Sequence, residues 1–221
     1  MSFLSGKWLT QVPEAMLQMF PDAVFWGTGF LAFATLSYPF AVFFVSLIEA
    51  TILYHGLNYG NENLQMIRPN PLSSSKCRTG FADVSLRAIS IFEREFKPVF
   101  LSSSVFMVSF ISSYLMGVLL YLKDSLQILG GSYGEQYTTR LYGSTAFFAV
   151  LIFITMSYRL INSCDSAMNI IITLFLGLGA GALITMQNNN ILGIQSLNLL
   201  GIPILRKRAA DGGDLYVCAP S

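Results

Sequence analysis

Residues 173–185 read TLFLGLGAGALIT and contain the pattern Gly-x-Gly-x-Gly. Glycines in this pattern cradle a phosphate only when a strand precedes them and a helix follows, inside a soluble α/β unit. Here they lie in an uncharged stretch, 167–186, whose length suits one membrane-spanning helix. Small residues four positions apart share one helical face: Thr173, Gly177, Gly181 and Thr185. We therefore predict a helix-packing face and disfavour a nucleotide loop, because small residues let helix backbones approach closely within lipid.

A second apolar stretch repeats this spacing. Within residues 99–122 the small residues are Ser109, Ser113 and Gly117, again four apart. Serine hydroxyls also hydrogen-bond between helices in membranes, at about 0.6 kcal/mol each on average. This stretch is therefore predicted to be another helix that packs through a narrow face.

The composition of the chain indicates a membrane protein. Of its 221 residues, 53% are hydrophobic and 11% are charged, whereas soluble domains carry about 25% charged residues. The net charge of +1 does not favour nucleic acid as a partner. Three scattered cysteines, Cys77, Cys164 and Cys218, form no Cys-x-x-Cys motif and argue against a disulfide framework or a zinc site. We predict no cofactor and no metal.

The fold class predicted from these patterns is an all-α integral membrane protein with four transmembrane helices, an amphipathic N-terminal segment, a long first loop and an irregular C-terminal tail. The predicted spans are 24–48, 99–122, 144–161 and 167–186. They form a bundle over 23–187, preceded by an amphipathic segment over 1–22. An extramembrane loop covers 55–97, and the tail covers 188–221.

Details of the spans lead to further expectations. Pro39 lies inside the first predicted span and is expected to kink it. The five-residue link 162–166 predicts a tight antiparallel hairpin between the last two spans. Arg159, near the end of the third span, is expected to reach toward the lipid headgroups. In the loop, an apolar stripe over 81–96 suits a helix that lies on the membrane or packs on the bundle.

The sequence is poor in reactive groups. The single histidine, His55, and Glu49 are six positions apart near the predicted end of the first span, so they do not share a helical face well. The centres of the four predicted spans lack the ionisable residues that a transporter needs. We therefore predict no catalytic site. Basic residues divide almost evenly between the two sides of the membrane, so they do not select an orientation.

The tail carries the predicted partner contacts. Arg206, Lys207 and Arg208 form a basic cluster, and Tyr216 lies in the predicted short strand 214–220. A peptide of this kind can add as a strand to a partner.

The region from Ala167 to Pro220, about a quarter of the chain, carries a resemblance. The tail SLNLLGIPILRKRAADGGDLYVCAP, residues 196–220, follows four spans and a short asparagine run. This layout resembles small multi-span membrane proteins of large icosahedral double-stranded DNA viruses that have an inner membrane. Some of their minor capsid proteins tie that membrane to the capsid shell. The resemblance implies a structural role, with the tail and the 55–97 loop facing partners, and it implies no catalytic residues.

The leading hypothesis is a minor capsid component in a virion inner membrane, part of a large assembly with other membrane or capsid proteins. Its lateral helix contacts would run through Gly177 and Gly181. One alternative is an accessory subunit of an organellar respiratory or photosynthetic complex, which has the same physical requirements. The other is a small channel or transporter, which the uncharged span centres disfavour.

Overall fold

The computed structural model describes residues 7–64, 77, 100–123 and 132–199, and these are entirely helical apart from their connections. Five α-helices occur in this order: α1 (Lys7–Thr35), α2 (Tyr38–Leu64), α3 (Ser103–Tyr121), α4 (Ser132–Ile161) and α5 (Ala167–Leu192). A 3₁₀ helix, Ile194–Leu197, follows α5. The N-terminal residues 1–6, most of the predicted loop and tail residues 200–221 lie outside the described residues.

Four of these helices are long and apolar enough to cross a membrane, which confirms the all-α, four-span fold class. The spans are Tyr38–Asn61 in α2, Ser103–Tyr121 in α3, Thr138–Ile161 in α4 and Ala167–Leu192 in α5. The chain is thus a multi-pass integral membrane protein. The last three spans agree with the predicted ones to within a few residues at most of their ends.

The first predicted span, 24–48, is wrong. Helix α1 ends at Thr35, and Leu36 adopts a left-handed backbone with φ of 48°. Helix α2 then begins at Tyr38, so Pro39 lies in its first turn, where its missing N–H leaves no bond unmade. Pro39 therefore begins a helix instead of kinking one. The span lies in α2, with its start 14 residues and its end 13 residues later than predicted.

Helix α1 folds back against α2. The rings of Phe25 and Phe44 lie 5.0 Å apart, and Gly29 lies directly beside the Phe44 ring. The predicted amphipathic segment is therefore only the first part of a 29-residue helix that continues to Thr35.

Helix α3 is the centre of the bundle. Phe106, Phe110 and Tyr114 are fully buried on it, in one cluster with Phe43 and Leu47 of α2 and with Ile184 of α5. Helix α5 packs along one face of α3, and α4 packs against another. Most of α4 remains exposed, including Phe147 and Phe153. In a bilayer this apolar surface lies at the depth of the lipid chains.

The short link between α4 and α5 exists as predicted, but the two helices do not pair along their lengths. Helix α4 packs on α3, so the hairpin is open. Ser166 begins α5 as its N-cap, with its hydroxyl accepting a bond from the Asn169 N–H at 3.3 Å. Gly193, with φ of 79°, ends it.

The four spans alternate in direction along the chain, so the connections divide between two membrane sides. The hairpin side, as we name it, holds the end of α2, the start of α3 and the 162–166 turn. The tail side holds the α1–α2 turn, the end of α3 and residues 193–199.

Candidate functional site

The seam between α3 and α5 brings all seven predicted packing residues together. A Cβ atom added to Gly177 would lie 2.7 Å from the Phe106 carbonyl oxygen, and one added to Gly181 would lie 2.5 Å from the Phe110 carbonyl oxygen. Real Cβ atoms do not come this close, so only glycine fits at either position. Farther along, Gly117 lies against the Thr185 methyl group.

Hydroxyl groups complete this seam. Ser113 donates across it to the Leu178 carbonyl oxygen at 2.7 Å. Ser109 is buried beside Gly177 and donates back to the Val105 carbonyl oxygen of its own helix. Thr173 donates to the Asn169 carbonyl oxygen and accepts the Ser102 N–H at 3.2 Å.

Gly177 and Gly181 are buried in this seam inside the chain. They are not available for the lateral contacts with neighbouring subunits that the leading hypothesis assigned to them.

The glycine stretch is continuous helix, so the nucleotide-loop alternative does not hold. Residues 173–185 all belong to α5, and helix α4 and a short turn precede it in place of a strand. Backbone N–H groups inside a helix are already bonded and cannot cradle a phosphate.

A buried polar cluster connects three helices near the tail side. The Asn188 side-chain amide donates to the Ser46 hydroxyl at 2.8 Å and to the Tyr114 hydroxyl at 3.1 Å. Asn188 belongs to α5, Ser46 to α2 and Tyr114 to α3, so one side chain fixes the mutual positions of the three. The Asn188 carbonyl oxygen also accepts from Ser196 in the 3₁₀ helix at 3.4 Å. Sequence reasoning missed this cluster, although an asparagine ending an apolar span is a detectable signal.

A second polar layer connects the helices at the hairpin side. The Tyr54 hydroxyl donates to the Leu101 carbonyl oxygen at 3.1 Å, and the Asn58 side-chain oxygen accepts the Leu101 N–H at 3.0 Å. Together with the bond from Ser102 to Thr173, these contacts join α2, the start of α3 and α5. Both ends of the central helices are thus held by hydrogen bonds as well as by packing.

The hairpin side also holds a disulfide bond, which corrects the expectation that the scattered cysteines form no disulfide framework. Cys77 is bonded to Cys164 across 87 residues of sequence, with a Cα–Cα distance of 5.2 Å. Both residues are buried. The predicted spans already placed Cys77 and Cys164 in connections on the same membrane side. That shared side makes the pair possible, but it does not show that the two residues meet.

A buried ion pair lies against this disulfide and corrects the prediction for Arg159. The Arg159 Nε donates to the Asp165 carboxylate at 2.6 Å, and its Nη1 donates to the Cys77 carbonyl oxygen at 2.9 Å. Arg159 is only 5% exposed, so it does not extend to the headgroups. We refer to Cys77, Cys164, Arg159 and Asp165 as the hairpin junction. The junction joins the turn between α4 and α5 to Cys77, which lies between α2 and α3 in the chain.

Glu49 occupies a position that the sequence prediction did not foresee. It lies near the midpoint of the Tyr38–Asn61 span, about 17 Å of helix from either end. The expectation that all span centres lack ionisable residues is therefore wrong, because the first span begins later than predicted. Glu49 is half-buried on α2.

The structure does not join Glu49 to His55. The His55 ring instead packs edge-on against Tyr54 at 5.2 Å. Among the described residues, no group of three or more histidine, cysteine, aspartate or glutamate side chains is placed to hold a metal ion. The predicted partner contacts, Arg206, Lys207, Arg208 and Tyr216, lie outside the described residues, as does the apolar stripe over 81–96. They remain predictions.

Comparison with known proteins adds no assignment, since no family model, curated protein or solved structure matches the chain.

Proposed function

We propose that this chain is a non-catalytic structural subunit of a membrane assembly, and that the assembly is a virion with an inner membrane. In this role it anchors the membrane to a capsid shell. The observation that supports the structural role is the α3–α5 seam, where glycines let one helix contact the backbone of the other. A seam of this kind fixes the central helices as one body. A rigid body in the bilayer can hold the predicted loop and tail in place for partners.

The polar contacts support the same role. The Asn188 cluster and the contacts of Tyr54 with Leu101 lie toward opposite membrane sides, and both join α2 to the packed helices α3 and α5. Unsatisfied polar groups are costly in lipid, so these bonds favour one arrangement of the helices over others. The virion assignment rests on the resemblance of residues 167–220 and their layout.

Because Gly177 and Gly181 are used inside the chain, lateral contacts need another surface. Helix α4 presents the largest apolar exposure of the four spans, with Phe147 and Phe153 at its outer face. We place neighbouring membrane subunits or lipid there. The proposed shell contacts lie in the tail cluster Arg206–Arg208 with Tyr216. The connection between α2 and α3 leaves the bundle on the opposite, hairpin side, so partners of the loop would be different from those of the tail.

The experiment that tests this proposal is isolation of the native assembly in mild detergent, with mass spectrometry of the proteins that travel with the chain. We expect co-purification with a major capsid protein in a fixed ratio. Replacing Arg206, Lys207, Arg208 and Tyr216 by alanine should lower that ratio several-fold, while membrane insertion stays unchanged. The matched control is replacement of Asp211 and Asp214, which lie in the same tail. Co-purification with respiratory or photosynthetic subunits would replace the virion proposal by the organellar one.

A second candidate function is a small channel or transporter, and Glu49 is the observation that favours it. A carboxylate at mid-membrane depth is expensive and commonly belongs to an ion or proton path. The test is proton and cation flux in liposomes that contain the purified full chain. Flux that Glu49→Gln abolishes would support this function. Liposomes with no flux above protein-free ones, from a chain that remains folded, would exclude it.

A further inference from the structure

The hairpin junction also contains information about the membrane orientation of the chain. Cys77 and Cys164 both lie on the hairpin side, and their sulfurs are joined. Their Cα–Cα distance of 5.2 Å is within the range that disulfides require. Both residues are at most 3% exposed, so the bond is sheltered from soluble reductants.

Contacts that do not involve sulfur hold the same two segments together. The Arg159 guanidinium connects the Asp165 carboxylate, next to Cys164 in the chain, with the carbonyl oxygen of Cys77. The two thiols are therefore brought together by a buried charge and its hydrogen bonds. This arrangement favours the specific pairing of Cys77 with Cys164 over pairing of either with Cys218.

Formation of the disulfide bond requires an oxidant that accepts two electrons from the thiols. The two thiols lose two protons and two electrons as the S–S bond forms. An oxidised dithiol–disulfide exchange protein takes up both and becomes the dithiol. Structural disulfides form and persist in oxidising compartments and are rare where glutathione and thioredoxin keep thiols reduced. A structural disulfide on one side of a membrane protein therefore identifies the side on which it folds.

We infer that the hairpin side faces an oxidising compartment and the tail side faces the reducing one. Because the four spans alternate, this assignment also orients the α1–α2 turn, the α3–α4 connection and the end of α5 toward the reducing side. Basic residues could not make this choice, since they are almost evenly divided. The inference is independent of the proposed function. If that function holds, the shell partners of the tail belong to the reducing side.

The first part of the test measures the state of the cysteines. Cells that express the full chain are quenched with acid and denatured. Free thiols are then blocked with N-ethylmaleimide, and disulfides are reduced and labelled with a maleimide polymer. We expect two labelled cysteines, the same two in Cys218→Ala, and none in Cys77→Ala. A wild-type chain with no polymer label would overturn the inference.

The second part measures orientation on sealed rough microsomes, whose outer face is reducing. Ser73→Asn creates an Asn-Ser-Ser acceptor in the loop between α2 and α3, and Gly130→Asn creates an Asn-Gly-Ser acceptor between α3 and α4. We expect a glycan on the first variant and none on the second. We also expect a membrane-impermeant maleimide to label Cys218 without detergent.

Any of three results would overturn the assignment. The first is a glycan on Gly130→Asn. The second is an unmodified Ser73→Asn chain in microsomes that glycosylate a secreted control. The third is labelling of Cys218 only after permeabilisation. These readouts do not depend on which proteins co-purify, so failure of the orientation and failure of the proposed function are distinguishable.

Discussion

A Cβ atom placed on Gly177 of α5 would lie 2.7 Å from the backbone carbonyl oxygen of Phe106 in α3. Two residues further along α5, Gly179 has open space around its Cβ position. Both residues are glycines of the same helix, but Gly177 lies against α3 and Gly179 has no other residue within 4 Å of its Cβ position. They therefore form a matched pair for testing the seam.

We expect Gly177→Ala to lower the free energy of unfolding by about 1–3 kcal/mol, because the added methyl group must push the backbones of α3 and α5 apart. Gly179→Ala should change it by less than about 1 kcal/mol, since no atom lies within 4 Å of the added group. The measurement is unfolding of the full chain by denaturing detergent in mixed micelles. Equal losses in the two variants would show that the seam is not the close contact described.

Removing the Asn188 side chain is expected to lower stability because its hydrogen bonds to Ser46 and Tyr114 are lost. Asn188→Ala removes the bonds to Ser46 and Tyr114 and should lower the free energy of unfolding by about 1–2 kcal/mol. Asn190→Ala, at an exposed position of the same asparagine run, is the control and should have little effect. In a double-mutant cycle, Asn188→Ala and Ser46→Ala should lose less together than the sum of their separate losses. Strictly additive losses would contradict the bond between them.

The buried ion pair of Arg159 and Asp165 predicts that replacing one partner destabilises the protein more than replacing both. Arg159→Met or Asp165→Leu alone should lower the free energy of unfolding by about 3–5 kcal/mol, because each leaves an unpaired buried charge. The double variant should be more stable than either single variant, since no buried charge remains. Thermal unfolding of the three variants in the same detergent decides the order. A double variant less stable than both single ones would count against this account.

Glu49 predicts a gain in stability when its charge is removed. Its position near the middle of a span imposes a cost on the order of 2.5–3.5 kcal/mol on insertion scales. Glu49→Gln should therefore increase the fraction of chains that insert and should raise the unfolding free energy in micelles. Glu49→Leu should raise both further. If both substitutions lower stability, the carboxylate makes a favourable contact at this depth, and the channel or transporter candidate gains support.

The α3–α5 seam was predictable because it depends on local periodicity. Gly177 and Gly181 are four residues apart, as are Ser109 and Ser113, and a helix converts that spacing into one face. The identity of the partner face was not predictable. The same stripe suits a neighbouring subunit and a helix of the same chain equally well, and only the fold brought Gly177 to Phe106.

The sequence by itself determined that the chain is all-helical and crosses a membrane in four apolar stretches, since length, lack of charge and spacing are local properties. Only the tertiary structure decided that Cys77 meets Cys164, because contacts across 87 residues leave no local pattern. It also decided that Pro39 starts a helix instead of kinking one, as a proline suits either position until the preceding backbone is known. Because α2 begins at Tyr38, the first span lies later in the chain than predicted, and Glu49 lies near its middle, where a carboxylate is most costly.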